Sequence, residues 1–406
     1  MNRTDLVAAI AGGENSRIEF KRDDVTPAVL AERMAGLLNL EGGHILLGVE
    51  DDGTVSGLAR SPGSAEEWVM QVARDNLQPA AIPLWQELEW VPEMRIGVLT
   101  LPQNAPDKPY KVRKGSHWIT KVRVGTITRD ATREEEQRLY QQSGGLRYGL
   151  KPVTGSGLGD LDRRRLLDYF ARIRGDDGVP SPDSDEWGQL LCNLELAIEA
   201  AGHTSATIDG MLLFGSNTGR FIPQSGIRAV CYPGQEPDYG AHSDEDIKGP
   251  LVPLGASDGS IVETGVVERA VDFVRRNSGV SSRLEGARRV DRRDFPEVAV
   301  REVVVNALAH RDYSIEGADP MLSIFSDRLE IQSPGRLPNT ITVAGMRSGA
   351  RYARNQTLVN IMRDYGYVDA RGMGIRSKVI PSMVAHNGTD PEFIEDEYRF
   401  TVRLWK

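Results

Sequence analysis

Glu302, Asn306 and His310 recur every four residues, with Val303, Val304, Val305 and Leu308 filling apolar positions between them. That spacing puts the three polar groups on one face of a helix, which opens with Pro296, where a missing N–H costs nothing. A carboxylate, an amide and an imidazole in a row suit a magnesium nucleotide: the amide oxygen holds the metal and the carboxylate orients a water. Taken alone, the same stripe describes the solvated face of a surface helix equally well.

A second constellation lies near the start of the chain. On a strand over 17–22, Glu19 and Lys21 point to one side and Ile18 and Phe20 to the other. Ile18 and Phe20 are expected to feed the core, leaving Glu19 and Lys21 on an open face. Asp51 follows the apolar strand 44–49 and comes near them if the two strands are neighbours. Glu14, Glu19 and Asp51 with Lys21 can hold a divalent metal and stabilise a phosphorane. The simpler reading is a surface Glu–Lys pair and a turn aspartate. Between 108 and 129 the chain has seven Lys or Arg and no acid: Lys108, Lys111, Arg113, Lys114, Lys121, Arg123 and Arg129. Tyr110, His117 and Trp118 are interleaved and can stack on bases, so this stretch is expected to form a nucleic-acid face.

The elements that must position these groups follow from periodicity. In the first 145 residues helices are expected at 2–12, 28–40, 65–77 and, from the capping box Thr132-Arg-Glu-Glu135, to about 142. Strands are expected at 17–22, 44–49, 84–91, 94–101 and 117–127. The 44–49 strand is apolar throughout and should be central in its sheet; Asp52-Gly53 makes a hairpin turn after it. Residues 143–160 read as a linker. Helices near 161–174, 187–202, 207–215 and 263–276, a strand at 227–232 and a loop at 234–248 make a mixed connecting region over 146–280. The last region, 281–406, has two strands at 321–332, the turn Ser333-Pro-Gly-Arg-Leu-Pro338, and Arg371-Gly-Met-Gly-Ile375 opening a helix. Glycines at a helix start present N–H groups to phosphate.

The order of acid–amide helix, hairpin, Pro-Gly turn and second glycine turn makes residues 285–406 resemble the GHKL ATPase fold, in the divergent branch found in bacterial ATP-binding regulators. The resemblance implies an α/β sandwich that binds ATP with Mg²⁺. Glu302 is then the water-orienting base and Asn306 the metal ligand. His310, Gly335, Arg354, Gly372 and Gly374 surround the nucleotide. Arg354-Asn355 and Gly366-Tyr-Val-Asp369 resemble the signature around a lid at about 336–371, which nucleotide is expected to move. The family reads adenine with an Asp in its second motif; the matching position here is Ser333. Glu14–Lys21, Leu38–Gly53, Lys108-Pro-Tyr110 and Val122–Arg129 resemble the divergent Alba-like domain of Schlafen proteins. In Schlafen ribonucleases two glutamates and an aspartate on this domain do the cutting, and Glu14, Glu19 and Asp51 fall at the matching places. The pairing implies an α/β (α+β) protein acting on RNA or DNA: a nucleotide-gated nuclease using Mg²⁺ or Mn²⁺, in phage defence, or a DNA-associated regulator that cuts nothing.

Composition bounds the rest. The chain of 406 residues is 40% hydrophobic and 26% charged, ordinary for a globular protein. Cys192 and Cys231 are too few for a disulfide framework and point to a reducing compartment. The first residues lack a signal peptide's apolar core, and no apolar run reaches membrane-spanning length. The expected setting is the cytoplasm, with no membrane contact and assembly as a homo-oligomer. The net charge of −9 argues against a non-specific nucleic-acid coat protein but leaves room for a local basic surface.

Overall fold

A computed structural model describes residues 1–61, 63–102, 105, 107–143, 147–200, 202–285, 288–337, 341–349, 353–368, 374–396 and 398–406, with backbone alone over 281–291. The chain forms two compact units, Met1–Leu146 and Arg147–Lys406.

The first unit runs α1 (Arg3–Gly12), β1 (Ile18–Lys21), α2 (Pro27–Asn39), β2 (Gly43–Leu47), α3 (Ser64–Asp75), β3 (Leu77–Gln78), β4 (Leu84–Val91), β5 (Met94–Leu101), β6 (Lys111–Lys114), β7 (His117–Val124), β8 (Ile127–Asp130) and α4 (Arg133–Gln142). One sheet has the order β1-β2-β5-β4, with β1 and β2 parallel, and a second has the order β3-β6-β7-β8. β2 is apolar on both faces because both are covered. Ile45 and Leu47 join Leu30, Met34 and Leu37 of α2 in one core, while Leu46 joins Leu6 of α1 and Phe20 of β1 in another. α2 starts at a Thr26 cap with Pro27 in its first turn. It packs against β7 and β6 as well as the first sheet. Its last residue, Asn39, ties the layers together. The amide nitrogen donates to the carbonyls of Tyr110 and Lys121, each at 2.7 Å, and the amide oxygen accepts from the Tyr110 N–H at 2.7 Å.

The second unit begins with α5 (Arg163–Asp168), which widens over Tyr169–Arg174, then α6 (Asp185–Asn193), β9 (Ala197–Ala200), β10 (His203–Ala206), α7 (Ile208–Phe214), α8 (Thr218–Phe221), β11 (Ile227–Cys231), β12 (Ser243–Ile247), β13 (Leu254–Gly255), β14 (Ile261–Glu263) and α9 (Val266–Asn277). It continues with β15 (Val280–Glu285), β16 (Arg288–Arg293), α10 (Glu297–Ala309), β17 (Met321–Ile324), β18 (Arg328–Pro334), α11 (Val343–Ser348) and α12 (Gln356–Asp364). A wide turn (Ile375–Val379), α13 (Ile380–Asn387), β19 (Glu392–Glu395) and β20 (Arg399–Trp405) complete it. The main sheet is ordered β12-β11-β17-β18-β20-β19, with α9 and α10 packed on it. Two of its strands, β11 and β12, come from the segment expected to be a connecting region.

Two local expectations give way. The helix expected over 187–202 stops at Asn193, because Glu195 turns the chain at φ 61° and β9 and β10 form a hairpin. The loop expected over 234–248 contains the edge strand β12. Its outward Asp244 and Asp246 hide the strand pattern while blunting an open edge.

Candidate functional site

α10 is built as a half-buried helix. Val300, Val303, Val304 and Leu308 are buried, and so is Glu302, at 6% exposure for the whole residue. A buried carboxylate needs partners. The Asn306 amide nitrogen donates to Glu302 Oε1 at 3.2 Å, and Lys378 Nζ lies 3.5 Å from Oε2. Gly374 presses against the same group: a Cβ there would stand 1.7 Å from Glu302 Oε1. Only glycine lets the backbone approach this closely. Among the described residues no hydrogen bond engages the Asn306 amide oxygen. That leaves a hard oxygen donor beside a carboxylate and a glycine turn, a donor set that fits a nucleotide carrying Mg²⁺. Gly372 lies outside the described residues.

His310 is not the third member of the helical face. α10 ends at Ala309, and His310 leaves it at φ −108°. Its imidazole is pushed down to about 4, first by burial and then by the nearby Arg354 guanidinium, so it is neutral. Its Nδ1 is buried without a hydrogen-bond partner among the described residues.

Several other expected nucleotide residues secure the end of α10. The last carbonyls of a helix have no partner within it. Here Ser333 Oγ donates to the Ala307 carbonyl (2.8 Å), Tyr313 Oη to that of Leu308 (3.0 Å), Asn355 Nδ2 to that of Ala309 (3.0 Å) and Arg354 Nη1 to that of His310 (3.0 Å). Arg354 also donates to the Arg336 carbonyl. Ser333, at the position matching the base-reading Asp of the resembled family, caps a helix. Gly335 sits at φ 102°, and a Cβ there would meet Asp312 Cβ at 2.5 Å and Arg354 Nη1 at 2.8 Å. Its glycine is what allows Arg354 to reach across. Arg311 is fully buried and holds its own loop, donating to the carbonyls of Asp312, Ile315 and Ala318.

The N-terminal constellation is arranged differently from its expectation. β1 and β2 are neighbours, and Glu14, Glu19 and Asp51 do converge, but on Lys21. Its Nζ is 3.0 Å from Glu19, 3.6 Å from Glu14 and 3.5 Å from Asp51. Ile18 and Phe20 feed the core as expected. Glu19 does not line an open face: it points into the layer between β1 and α2, 2% exposed. There Arg33 of α2 pairs with its Oε1 at 2.9 Å and the buried Arg123 of β7 with its Oε2. Glu14 Oε1 accepts from the Phe20 N–H at 2.8 Å. Three carboxylates are balanced by three cations, which does not fit a divalent ion at Glu14, Glu19 and Asp51. Among the described residues no group of three or more His, Cys, Asp or Glu is set to hold a metal.

The basic stretch is also corrected. Lys108, Tyr110, Lys121 and Arg123 are buried. Lys108 Nζ donates to the Leu40 carbonyl, and burial pushes its ammonium down to about 7. Lys121 pairs with Glu32 (2.8 Å) and Asp130 (2.7 Å), and Lys111 with Glu136 (2.8 Å). Strand alternation explains this: β7 turns every second residue toward α2. Arg113 and Lys114 remain exposed near the β6–β7 turn, opposite Trp118 and His117 respectively.

Sequence reasoning missed Lys378, whose only signal was its place four residues after Gly374. It also missed Arg33, one helix away from Glu19 in sequence.

Residues 14–132 match the family model described as "Schlafen, AlbA_2", and residues 317–404 match the one described as "Putative ATP-dependent DNA helicase recG C-terminal". The fold is therefore α/β, a Schlafen-type Alba-like domain followed by a GHKL-type ATPase-like domain. The chain joins these two in one polypeptide, and no curated protein matches it. Glu14, Glu19, Lys21 and Asp51 lie within the first matched stretch, whereas Glu302 and Asn306 lie upstream of the second. Among solved structures, the DIP2311 protein from Corynebacterium diphtheriae is 20% identical over 99% of this chain and 79% of its own, with a TM-score of 0.45. The N-terminal domain of a "Putative ATP-dependent DNA Helicase RecG-related Protein" from Nitrosomonas europaea is 26% identical over 33% of this chain and 93% of its own, with a TM-score of 0.26. No helix among the described residues is long and apolar enough to cross a membrane.

Proposed function

We propose that this chain binds ATP with Mg²⁺ in its C-terminal unit and engages nucleic acid through its N-terminal unit without cutting it, as a DNA-associated regulator would. The observation that carries the nucleotide half is the Gly374 backbone set against the Glu302 carboxylate beside the Asn306 amide. Asn306 Oδ1 would hold the metal, whose charge neutralises the phosphates when bound. Glu302 would orient water, and the glycine turn would offer backbone N–H groups to phosphate. Arg354, Gly335 and Ser333 support the site by fixing the end of α10.

The non-cleaving half rests on Glu19, whose two oxygens are already committed to Lys21, Arg33 and Arg123. Nucleic acid would meet Arg113 and Lys114, with Trp118 available for stacking. Labelled tRNA, single-stranded RNA and duplex DNA incubated with the protein, with Mg²⁺ or Mn²⁺ and with or without ATP, test this. The expected result is salt-sensitive retardation with no product. Metal-dependent cutting that disappears in Glu19→Ala would instead establish the nuclease and reopen a role in phage defence. If ATP altered neither nucleic-acid affinity nor oligomeric state, coupling between the units would be discarded.

A further inference from the structure

Among the described residues β15 and β16 pair with each other and with no other strand, and no helix lies along them. A two-stranded ribbon is marginal by itself: a third strand or a helix is normally needed to bury a hydrophobic face. This ribbon has little from which to build such a face. Between 280 and 293 its large apolar residues are Val280, Leu284 and Val290, and Val280 is 52% exposed. The ribbon is charged instead. Five arginines, Arg283, Arg288, Arg289, Arg292 and Arg293, stand against two acids, Glu285 and Asp291, in a chain whose net charge is −9. The backbone register places Arg283, Arg288 and Arg292 on one face and Arg289 and Arg293 on the other. The base of the ribbon is tied down. Arg293 Nη1 donates to the Arg275 carbonyl in the last turn of α9 at 2.9 Å, and Arg292 Nη2 donates to Asn387 Oδ1 at 3.4 Å. Arg283, Arg288 and Arg289 lie farther along it, on both strands.

We propose that β15 and β16 form a DNA-binding arm of the C-terminal unit, which enters the major groove of duplex DNA. Shape and charge select this partner. A major groove about 12 Å wide admits a two-stranded ribbon, whereas the deep, narrow groove of duplex RNA does not. The guanidinium fork matches phosphates along the groove and guanine edges on its floor, so arginines on either face find a partner. This contact is separate from Arg113 and Lys114 of the N-terminal unit, and it needs no nucleotide.

The test uses the full chain and labelled duplex DNA or duplex RNA of one sequence over a range of salt. The proteins are wild type, the triple variant Arg283→Ala/Arg288→Ala/Arg289→Ala, and the triple variant with Lys at the same positions. The alanine variant should bind DNA about tenfold or more weakly, with its salt dependence reduced by about two to three units. Lys should restore most of that dependence, because phosphates respond to charge. All three proteins should melt alike, and RNA affinity should change by less than about twofold. Unchanged DNA affinity and salt dependence in the alanine variant, or an equal loss with RNA, overturns the proposal. Arg113→Ala/Lys114→Ala keeps the two surfaces apart: if it abolishes DNA binding and the alanine triple does not weaken it, the arm is discarded while the N-terminal reading stands. Wild type that binds no nucleic acid overturns both. Should the alanine triple melt lower than wild type, Arg288→Ala is read instead, with an expected loss of about one unit.

Discussion

Two buried glutamates, Glu19 and Glu302, divide the molecule's chemistry between them. Glu19 is surrounded by Lys21, Arg33 and Arg123, two of them arginines from different elements, and each oxygen is taken. Glu302 has one amide, one half-exposed lysine and a glycine backbone. The first arrangement joins β1, α2 and β7 and leaves nothing for a ligand to displace. The second has a half-exposed lysine partner, and Gly374 is set against its carboxylate. An acid in a matching motif position is thus not enough to assign chemistry: what decides is which groups its oxygens already engage.

The largest effect should come from Gly374→Ala. A methyl 1.7 Å from Glu302 Oε1 cannot be accommodated without moving either the carboxylate or the glycine turn. Calorimetry should show Mg·ATP affinity falling by about a hundredfold or more, with little change at the N-terminal unit. Next, Glu19→Ala removes the carboxylate partner of two arginines, Arg33 and the buried Arg123. It should lower stability by about 3–5 kcal/mol, as for breaking a buried pair, read by chemical denaturation, while Mg·ATP affinity stays unchanged. Glu302→Gln should do the reverse, costing little stability and abolishing any hydrolysis. If Glu19→Ala left stability intact and removed an activity, the contrast between the two glutamates would collapse.

A third buried acid sharpens the comparison. Asp209 is 1% exposed, and its Oδ1 has no hydrogen-bond partner among the described residues. Burial pushes its carboxyl up to about 7 from 3.8. The folded state therefore holds an extra proton between those values. Its contribution to stability is full at low pH and declines as pH rises through that window, by up to about 1.4 kcal/mol per pH unit. Asp209→Asn should flatten the melting temperature between pH 5 and 7.5. A slope unchanged by the substitution would show that Asp209 is ionised throughout.

The smallest effect belongs to the exposed cations. Arg113→Ala and Lys114→Ala should each weaken nucleic-acid binding a fewfold and reduce its salt dependence by about one unit, without altering melting. If Lys121→Ala weakened binding more than these at unchanged melting, the inward placement of Lys121 would be wrong.

Much of the fold was legible in the sequence. The capping box at Thr132, the apolar periodicity of α2, the apolar run of β2 and the glycine turns are local, and they placed most elements. The pairing of Glu302 with Asn306 was legible because both lie on one helix. What could not be read were contacts that cross elements: Arg33 and Arg123 on Glu19, Lys378 on Glu302, and Ser333, Arg354 and Asn355 on the carbonyls at the end of α10. The basic stretch misled for the same reason. Counting charges along β6 and β7 cannot tell which of them alternation turns toward α2.

The most direct test of the account is a calorimetric titration of Mg·ATP into wild type and Asn306→Ala. The account predicts binding to one site per chain in wild type and its loss in Asn306→Ala, with both proteins melting alike. Equal binding by the two, or none by wild type, would contradict it.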